Sequence, residues 1–272
     1  MATIPVKIET RIKDALKRFQ PLIEQAKARD IGEADTSTLV KDILSELFGY
    51  DKYTEITAEY QIKSTYCDLA LKIDGKLVLL VEVKAIGIEL KEAQIKQAVD
   101  YAANQGVEWV VLTNAQTFQI YKVSFGQPIS HDLLMALNFC ALSHKNADDL
   151  NSLFLLSREA QGKSLLEEYL ELRQALSRFC VGAVVLSEPV LSVIRRELKR
   201  ISPDVRIEIE EIAQVLAQEV IKREVLEGDK AVEAKKKIAK AAAKALRAKS
   251  EEKGPESVTP PMAPIVPVSA VQ

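Results

Sequence analysis

The chain has 272 residues, of which 47% are hydrophobic and 28% are charged, and its formal net charge is −2. This composition predicts a globular protein that can bury a full core, and the charge argues against a wholly basic nucleic-acid-binding protein. No run approaches the roughly 18 apolar residues of a membrane span, and the amphipathic start lacks the apolar core of a signal peptide. We therefore expect a cytoplasmic protein with no membrane partner.

Two helices are predicted at the start of the chain, over residues 5–30 and 33–48. In the second helix apolar residues recur every three or four positions, and Gly49 ends it. These apolar residues are Leu39, Val40, Ile43, Leu44, Leu47 and Phe48.

Between residues 54 and 123 the pattern changes to strand, strand, strand, helix, strand, strand. Residues 77–81 and 109–112 are continuous apolar runs, which are typical of strands covered on both faces. The helix is predicted over residues 89–104, and Gly106 ends it. This order predicts an α/β fold in which a mixed sheet packs between helices.

Beyond about residue 130 the strand signals fade, and the sequence predicts helices only. Their expected ranges are 146–157, 163–185, 188–201 and 207–227. A lysine-rich, alanine-rich stretch follows, which we interpret as a solvated basic helix, and residues 254–272 contain five prolines and almost no charge, which indicates disorder. We therefore predict three parts: a domain over residues 1–130, a helical region over 131–228, and a basic helix with a proline-rich tail over 229–272.

The stretch STYCDLALKIDGKLVLLVEVKAIG, residues 64–87, reads as two strands joined by a turn, with Asp68, Glu82 and Lys84 inside or at the ends of its most apolar part. A two-residue turn at Asp74-Gly75 would put Asp68 and Glu82 on opposite faces of the sheet. A three-residue turn with Gly75 in a left-handed bulge would put Asp68, Glu82 and Lys84 on one face. We predict the second register, because charged side chains on a buried sheet need a shared reason to be there.

Two carboxylates from adjacent strands form an oxygen-rich site that suits a hard divalent cation such as magnesium. A lysine two residues after the second carboxylate could orient or deprotonate an attacking water, or stabilise charge on a phosphodiester oxygen. On spacing alone the simpler interpretation is that Glu82 and Lys84 lie in solvent at a strand end. Short patterns of acids followed by lysine are common.

Several motifs in the same order resemble those of a known nuclease family. The segment Y-C-D-L, followed by V-E-V-K, is similar to the PD-(D/E)xK nuclease signature, and more closely to the N-terminal nuclease domain of the type I restriction enzyme R subunit. Residues 32–51 resemble that family's opening helix, Q-A-V-D-Y at 97–101 its Q-x-x-x-Y motif, and residues 109–123 its closing strand pair. Cys67 stands where the signature has proline. The resemblance covers about residues 30–125 and implies a restriction-endonuclease-like sheet.

The resemblance also implies roles for particular residues. Asp68 and Glu82 would bind Mg²⁺ or Mn²⁺ with the carbonyl of Val83, and Lys84 would be the catalytic lysine. Glu33 would be an additional acid of the site, although the helix dipole alone also explains an acid in a first turn; Glu46, at the far end of the same helix, is the runner-up. The remaining candidates, which would contact DNA or brace the site, are Gln97 and Tyr101.

Other sequence features limit what this domain could do. We find no G-x-x-x-x-G-K-[ST] phosphate loop, so we expect neither a nucleotide cofactor nor helicase domains. Three widely spaced cysteines indicate neither disulfides nor a zinc site.

Three functions are therefore considered. The first is a magnesium-dependent DNA endonuclease serving restriction, defence or repair. The second is a catalytically inactive module that binds DNA or protein, with basic clusters at residues 195–200 and 235–249 as phosphate contacts. The third is a homo-oligomer formed through an apolar stripe of the helical region. That stripe comprises Leu165, Leu166, Tyr169, Leu170, Leu172 and Leu176.

Overall fold

A computed structural model describes residues 3–62 and 65–252 of the chain. The polypeptide divides into two compact units, Met1–Glu171 and Leu172–Gln272. The domain boundaries at residues 130 and 228 stay predictions, and the proline-rich tail lies outside the described residues.

The first unit is built around a six-stranded sheet whose strands follow chain order from β1 to β6. The strands are β1 (Ile56–Ile62), β2 (Thr65–Ile73), β3 (Lys76–Val83), β4 (Trp109–Thr113), β5 (Thr117–Ser124) and β6 (Ser130–Asn138). β3 and β4 are parallel, and every other neighbouring pair is antiparallel. The parallel pair requires a crossover, which the helix α3 (Glu92–Gln105) supplies, with Gly106 in the left-handed conformation ending it.

Helices cover both faces of this sheet. On one face the core joins β2–β5 to α1 (Val6–Ala28), α2 (Glu33–Glu46) and α4 (Ala147–Phe154). On the other face Leu80 and Leu112 pack in a core with buried residues of α3. The prediction of an α/β fold with a mixed sheet between helices is confirmed.

Strand β6 contradicts the expectation that only helices follow residue 130. Leu133, Leu134, Met135 and Leu137 lie close together in this segment, and leucine and methionine are good helix formers. In the structure residues 130–138 pair with β5 along its whole length. Without β6 the peptide groups of β5 would form an unpaired sheet edge, so tertiary pairing overrides the local preference.

Three of the predicted late helices are shorter than expected or interrupted, and the one predicted over 146–157 is α4, which ends at Phe154. The helix predicted over 163–185 is two helices, α6 (Leu165–Ala175) and α7 (Arg178–Val185), because the Ser177 hydroxyl accepts a hydrogen bond from the Cys180 amide and starts a new helix. The helix predicted over 207–227 is interrupted by a π-helical turn at Leu216–Val220.

The remaining helices complete both units. The short α5 (Arg158–Gln161) ends in the first unit, and α6 crosses the boundary between the two units. The second unit contains α7, α8 (Glu188–Ile201), α9 (Ile209–Val215), α10 (Arg223–Leu226) and α11 (Asp229–Glu252). The predicted helix over 188–201 therefore matches α8. No helix within residues 3–62 and 65–252 is long and apolar enough to cross a membrane.

The apolar stripe considered for oligomerisation is used largely within the chain. Leu165 and Leu166 are buried in the core of the first unit, and Tyr169 and Leu170 pack against it. Of the stripe's remaining residues, Leu176 is the more exposed, at 69%. Intramolecular packing therefore explains most of this pattern, and the homo-oligomer stays a prediction.

Candidate active site

A β-bulge at Val78 aligns the two acids predicted from the β2–β3 hairpin. The turn has two residues, since Ile73 pairs with Lys76, and both Asp74 and Gly75 have positive φ as in a type I′ turn. The predicted three-residue turn is therefore wrong. Leu77 pairs with Lys72 and Leu79 with Leu71, which leaves Val78 unpaired between them.

The bulge puts Asp68 and Glu82 on one face of the sheet, as the three-residue turn was expected to do. Beyond it Leu69 pairs with Val81, and the same register continued by one residue sets Asp68 opposite Glu82. Glu82 pairs with Leu112 in the parallel ladder, and Leu112 packs beneath α3. The two acids therefore lie on the face of the sheet that α3 covers.

Glu82 and Lys84 form a partly buried ion pair. Lys84 Nζ donates to Glu82 Oε1 at 2.8 Å, and the two side chains are 19% and 2% exposed. The other carboxylate oxygen, Glu82 Oε2, is buried and has no hydrogen-bond partner among the described residues. A buried carboxylate oxygen without a partner is costly, so this atom needs an explanation beyond folding.

Asp68 is held beside this pair by the backbone. Its Oδ2 accepts a hydrogen bond from the Val83 amide at 2.7 Å, across the hairpin. The charge of Asp68 also raises the pKa of Glu82, which shows that the two carboxylates interact. The three residues expected to form the centre of the site, Asp68, Glu82 and Lys84, are thus brought together.

The environment shifts the pKa of Glu82 strongly. Burial raises it most, the hydrogen bond from Lys84 lowers it, and the charges of Asp68 and Glu33 raise it, with a resulting pKa of about 7. For Lys84, burial lowers the pKa, but the hydrogen bond to Glu82 and the nearby acids outweigh burial and raise it. Lys84 is therefore protonated at neutral pH.

The other predicted residues lie at different distances from this centre. Glu33, in the first turn of α2, is 53% exposed, and its Oε1 lies 3.9 Å from Lys84 Nζ. Its rival Glu46 forms an ion pair with Arg18 at the far end of α2. The structure thus puts Glu33, rather than Glu46, near the lysine.

Gln97 and Tyr101 share one side of α3, as predicted from their spacing. Gln97 Nε2 donates to the Tyr101 hydroxyl at 2.5 Å, with Gln97 exposed and Tyr101 buried. Neither forms a hydrogen bond or ion pair with Asp68, Glu82 or Lys84 among the described residues. Their part in the site stays a prediction.

Two residues that support the site were not identified from the sequence. Asn114 Nδ2 donates to the Ile88 carbonyl at 2.8 Å, and Gln116 Nε2 donates to the Ile86 carbonyl at 2.6 Å. Both therefore hold the loop that follows Lys84. The available signal was the segment Asn-Ala-Gln-Thr directly after a buried strand, where the side chain of Asn114 also accepts from two backbone amides of the turn.

The site formed by Asp68, Glu82 and Lys84 offers few protein ligands, and these suit a divalent cation. Within the described ranges no group of three or more His, Cys, Asp or Glu side chains is placed to hold a metal ion. Two carboxylates remain, Asp68 and Glu82, of which Glu82 has the unpartnered buried oxygen. Magnesium commonly uses one or two carboxylates and completes its shell with water and phosphate oxygens, so the residues present fit this ion.

Comparisons with known proteins agree with the motifs. Residues 38–133 match the model of a family described as the type I restriction enzyme R protein N terminus. The match includes the hairpin with Asp68, Glu82 and Lys84 and the helix with Gln97 and Tyr101, and it begins after Glu33. No curated protein and no solved structure was found to match the chain. Over residues 38–133, about a third of the chain, the sequence is thus similar to the N-terminal domain of type I restriction enzyme R proteins.

Proposed function

We propose that this protein is a magnesium-dependent endonuclease that hydrolyses phosphodiester bonds of DNA. The observation that carries the proposal is the partnerless, buried Oε2 of Glu82, beside Asp68 and Lys84. A domain of the R protein N-terminal family surrounds these residues. Restriction, defence against foreign DNA or repair in the cytoplasm is the process that this activity would serve.

Asp68, Glu82 and the carbonyl of Val83 would hold the cation, Mg²⁺ or Mn²⁺. When bound, such an ion polarises a phosphoryl oxygen and lowers the pKa of a bound water. Its positive charge would also compensate the buried carboxylate whose pKa burial now raises. Cation binding would thereby offset the unfavourable free energy of burying the Glu82 carboxylate.

Lys84 would act as a cation rather than as a base. Hydrolysis joins a water oxygen to phosphorus and breaks the bond from phosphorus to the leaving sugar oxygen. Negative charge grows on the phosphoryl oxygens and on the leaving oxygen, and a proton from water must finally reach the latter. A protonated lysine can stabilise that charge or donate a proton, but it cannot accept one.

Glu33, Gln97 and Tyr101 would have supporting roles. Glu33 lies near enough to Lys84 to orient the ammonium group, at 3.9 Å. Gln97 is exposed, and its hydrogen bond to the buried Tyr101 fixes the orientation of its amide, which would contact DNA. We assign these roles to the residues as part of the same proposal.

The experiment that tests this function is cleavage of supercoiled plasmid and of a linear single strand by the purified full chain. The reaction is run with Mg²⁺ or Mn²⁺ and with EDTA, and it compares wild type with Lys84→Ala. Lys76→Ala is the matched control, because Lys76 lies on the same strand but is exposed at the turn. We expect cation-dependent nicking that falls by on the order of 100-fold or more in Lys84→Ala and not in Lys76→Ala.

A binding role without cleavage is the alternative. In its favour is the absence, within residues 3–62 and 65–252, of a third carboxylate or imidazole ligand grouped with Asp68 and Glu82. DNA binding with no cation-dependent cleavage, or cleavage that is indifferent to Lys84, would support this alternative against the nuclease.

A further inference from the structure

The helix α11 carries exposed lysines that have no acidic partner among the described residues. Ala231 and Ala234 are buried and face α7, on which α11 packs. Lys235, Lys236 and Lys240 are exposed, and none of the three forms an ion pair or hydrogen bond within the described part of the chain. Lys236 and Lys240 are four residues apart and so project from one side of the helix.

The sequence extends this basic character along α11. From residue 234 to residue 250 the chain contains seven basic residues and no acid. They are Lys235, Lys236, Lys237, Lys240, Lys244, Arg247 and Lys249. Like charges at this density repel one another and disfavour the helix, so an anionic partner would stabilise it.

The basic cluster of α8 differs in this respect. Its members are Arg195, Arg196, Lys199 and Arg200. Arg195 donates to the Ile207 carbonyl at 2.7 Å and pairs with Glu208 at 3.3 Å, and Arg196 and Arg200 both pair with Glu197. Three of the four charges are thus used within the chain: Arg195 holds the segment before α9, and Arg196 and Arg200 pair with an acid of α8 itself.

We infer that the exposed lysines of α11, Lys235, Lys236 and Lys240, form a contact surface for the phosphate backbone of duplex DNA. This inference rests on the proposed function for the identity of the anion. Exposed lysines neutralise phosphates without reading bases, so the contact is independent of sequence. It would add affinity to the domain that carries Glu82 and Lys84.

A membrane surface is the other large anion that a basic helix could contact. Helices that lie in a membrane interface need large apolar residues such as leucine, phenylalanine or tryptophan opposite their charges. In α11 Ala231 and Ala234 are already buried against α7, and the larger apolar residues with described side chains are the exposed Val232 and the half-buried Ile238. These described side chains include no leucine, phenylalanine or tryptophan that could insert into a membrane, which favours DNA.

Binding of a fluorescent DNA duplex, measured by anisotropy between 50 and 200 mM salt, tests the inference. The full chain carries Lys84→Ala, and EDTA is present, so that binding is read without cleavage. The test variant adds Lys235→Gln, Lys236→Gln and Lys240→Gln. If each lysine neutralises one phosphate, the slope of log affinity against log salt becomes shallower by about 2.7, and between these salt concentrations the parent protein loses about 40-fold more affinity than the variant.

A control variant removes the same charge elsewhere. Lys7→Gln, Lys145→Gln and Lys163→Gln change three exposed lysines of the first unit. We expect this control to keep the parent slope. An equal change in both variants would mean that net charge alone matters and would overturn the inference, and circular dichroism checks that α11 stays helical.

The remaining outcomes separate this inference from the nuclease proposal. An unchanged slope in the α11 variant, in a protein that cleaves DNA, overturns the inference and leaves the nuclease standing. Binding that depends on the three lysines, in a protein that never cleaves, supports the inference and rejects the nuclease. No DNA binding at all, or lysine-dependent binding to phosphatidylserine vesicles with DNA binding unchanged, overturns the inference.

Discussion

The two ends of strand β3 carry the same kinds of charged residue in opposite environments. At the turn end Asp74 is 88% exposed and Lys76 is exposed, and the turn between the strands is the ordinary two-residue Asp74-Gly75 turn. At the other end Glu82 is 2% exposed and bonded to Lys84, and one of its oxygens has no partner. Water solvates the charges at the turn end, whereas at the buried end Glu82 is stabilised by Lys84 and Asp68 by the Val83 amide.

The bulge at Val78 is the local feature that separates these ends. Without it, the two-residue turn would set Asp68 opposite Val81 and turn Glu82 to the opposite face. With it, both acids lie on the face under α3. One unpaired residue thus converts a regular hairpin into a scaffold for two neighbouring carboxylates.

The largest expected difference in cleavage activity is between variants of Asp68, at the buried end of the hairpin, and of Asp74, at its turn. Asp68→Asn keeps an oxygen that can accept from the Val83 amide, but it removes a negative charge from the site. We expect cleavage to fall by on the order of 1,000-fold, equivalent to about 4 kcal/mol of transition-state stabilisation, with a folded protein. Initial rates of plasmid nicking at saturating Mg²⁺ measure this loss.

The matched control is Asp74→Asn, which makes the same chemical change at the turn. Asparagine tolerates positive φ, and Asn-Gly is a favoured type I′ turn, so this variant should fold and cleave like wild type. Equal loss in both variants, or none in either, would show that the buried end has no special role in cleavage.

The sequence was sufficient to predict which charged residues lie together, but not the β-bulge that brings them together. The alternation of apolar residues left two registers open, and the register that puts Asp68, Glu82 and Lys84 on one face was predicted because charged side chains on a buried sheet need a shared reason to be there. It did not predict the bulge, because a two-residue turn with a bulge and a three-residue turn give the same parity. Strand β6 was missed for a related reason, since its pairing depends on the free edge of β5 and not on its own residues.

The next contrast is the pH dependence of stability that Glu82 causes. Its folded-state pKa of about 7 exceeds the ordinary value of 4.5, so the folded protein holds an extra proton between these pH values. The contribution of Glu82 to the free energy of unfolding therefore falls as pH rises from 4.5 to 7. Glu82→Gln removes this pH-dependent destabilisation. Without cations, the free energy of unfolding of the variant relative to wild type should therefore rise by up to about 3 kcal/mol between pH 4.5 and pH 8.

Urea denaturation in EDTA, at pH 4.5 and pH 8, measures the difference between the two proteins. A difference that does not change with pH would contradict a raised pKa at Glu82. Repeating the measurement at pH 8 with Mg²⁺ tests the cation: at 100 times its dissociation constant it should stabilise wild type by about 2.7 kcal/mol. Glu82→Gln should show little of this stabilisation.

The smallest expected effect lies at the turn end. Gly75 has φ +77°, and an added Cβ would meet nothing within 4 Å, so Gly75→Ala costs only backbone strain, about 1 kcal/mol. Because Asp68, Glu82 and Lys84 lie beyond the bulge, cleavage per folded molecule should stay unchanged. Gly126→Ala, at a glycine without positive φ, should change stability by less than about 0.5 kcal/mol. A cleavage loss in Gly75→Ala beyond the loss of folded protein would mean that the turn and the buried end are coupled through the bulge, so that the two ends of β3 do not act independently.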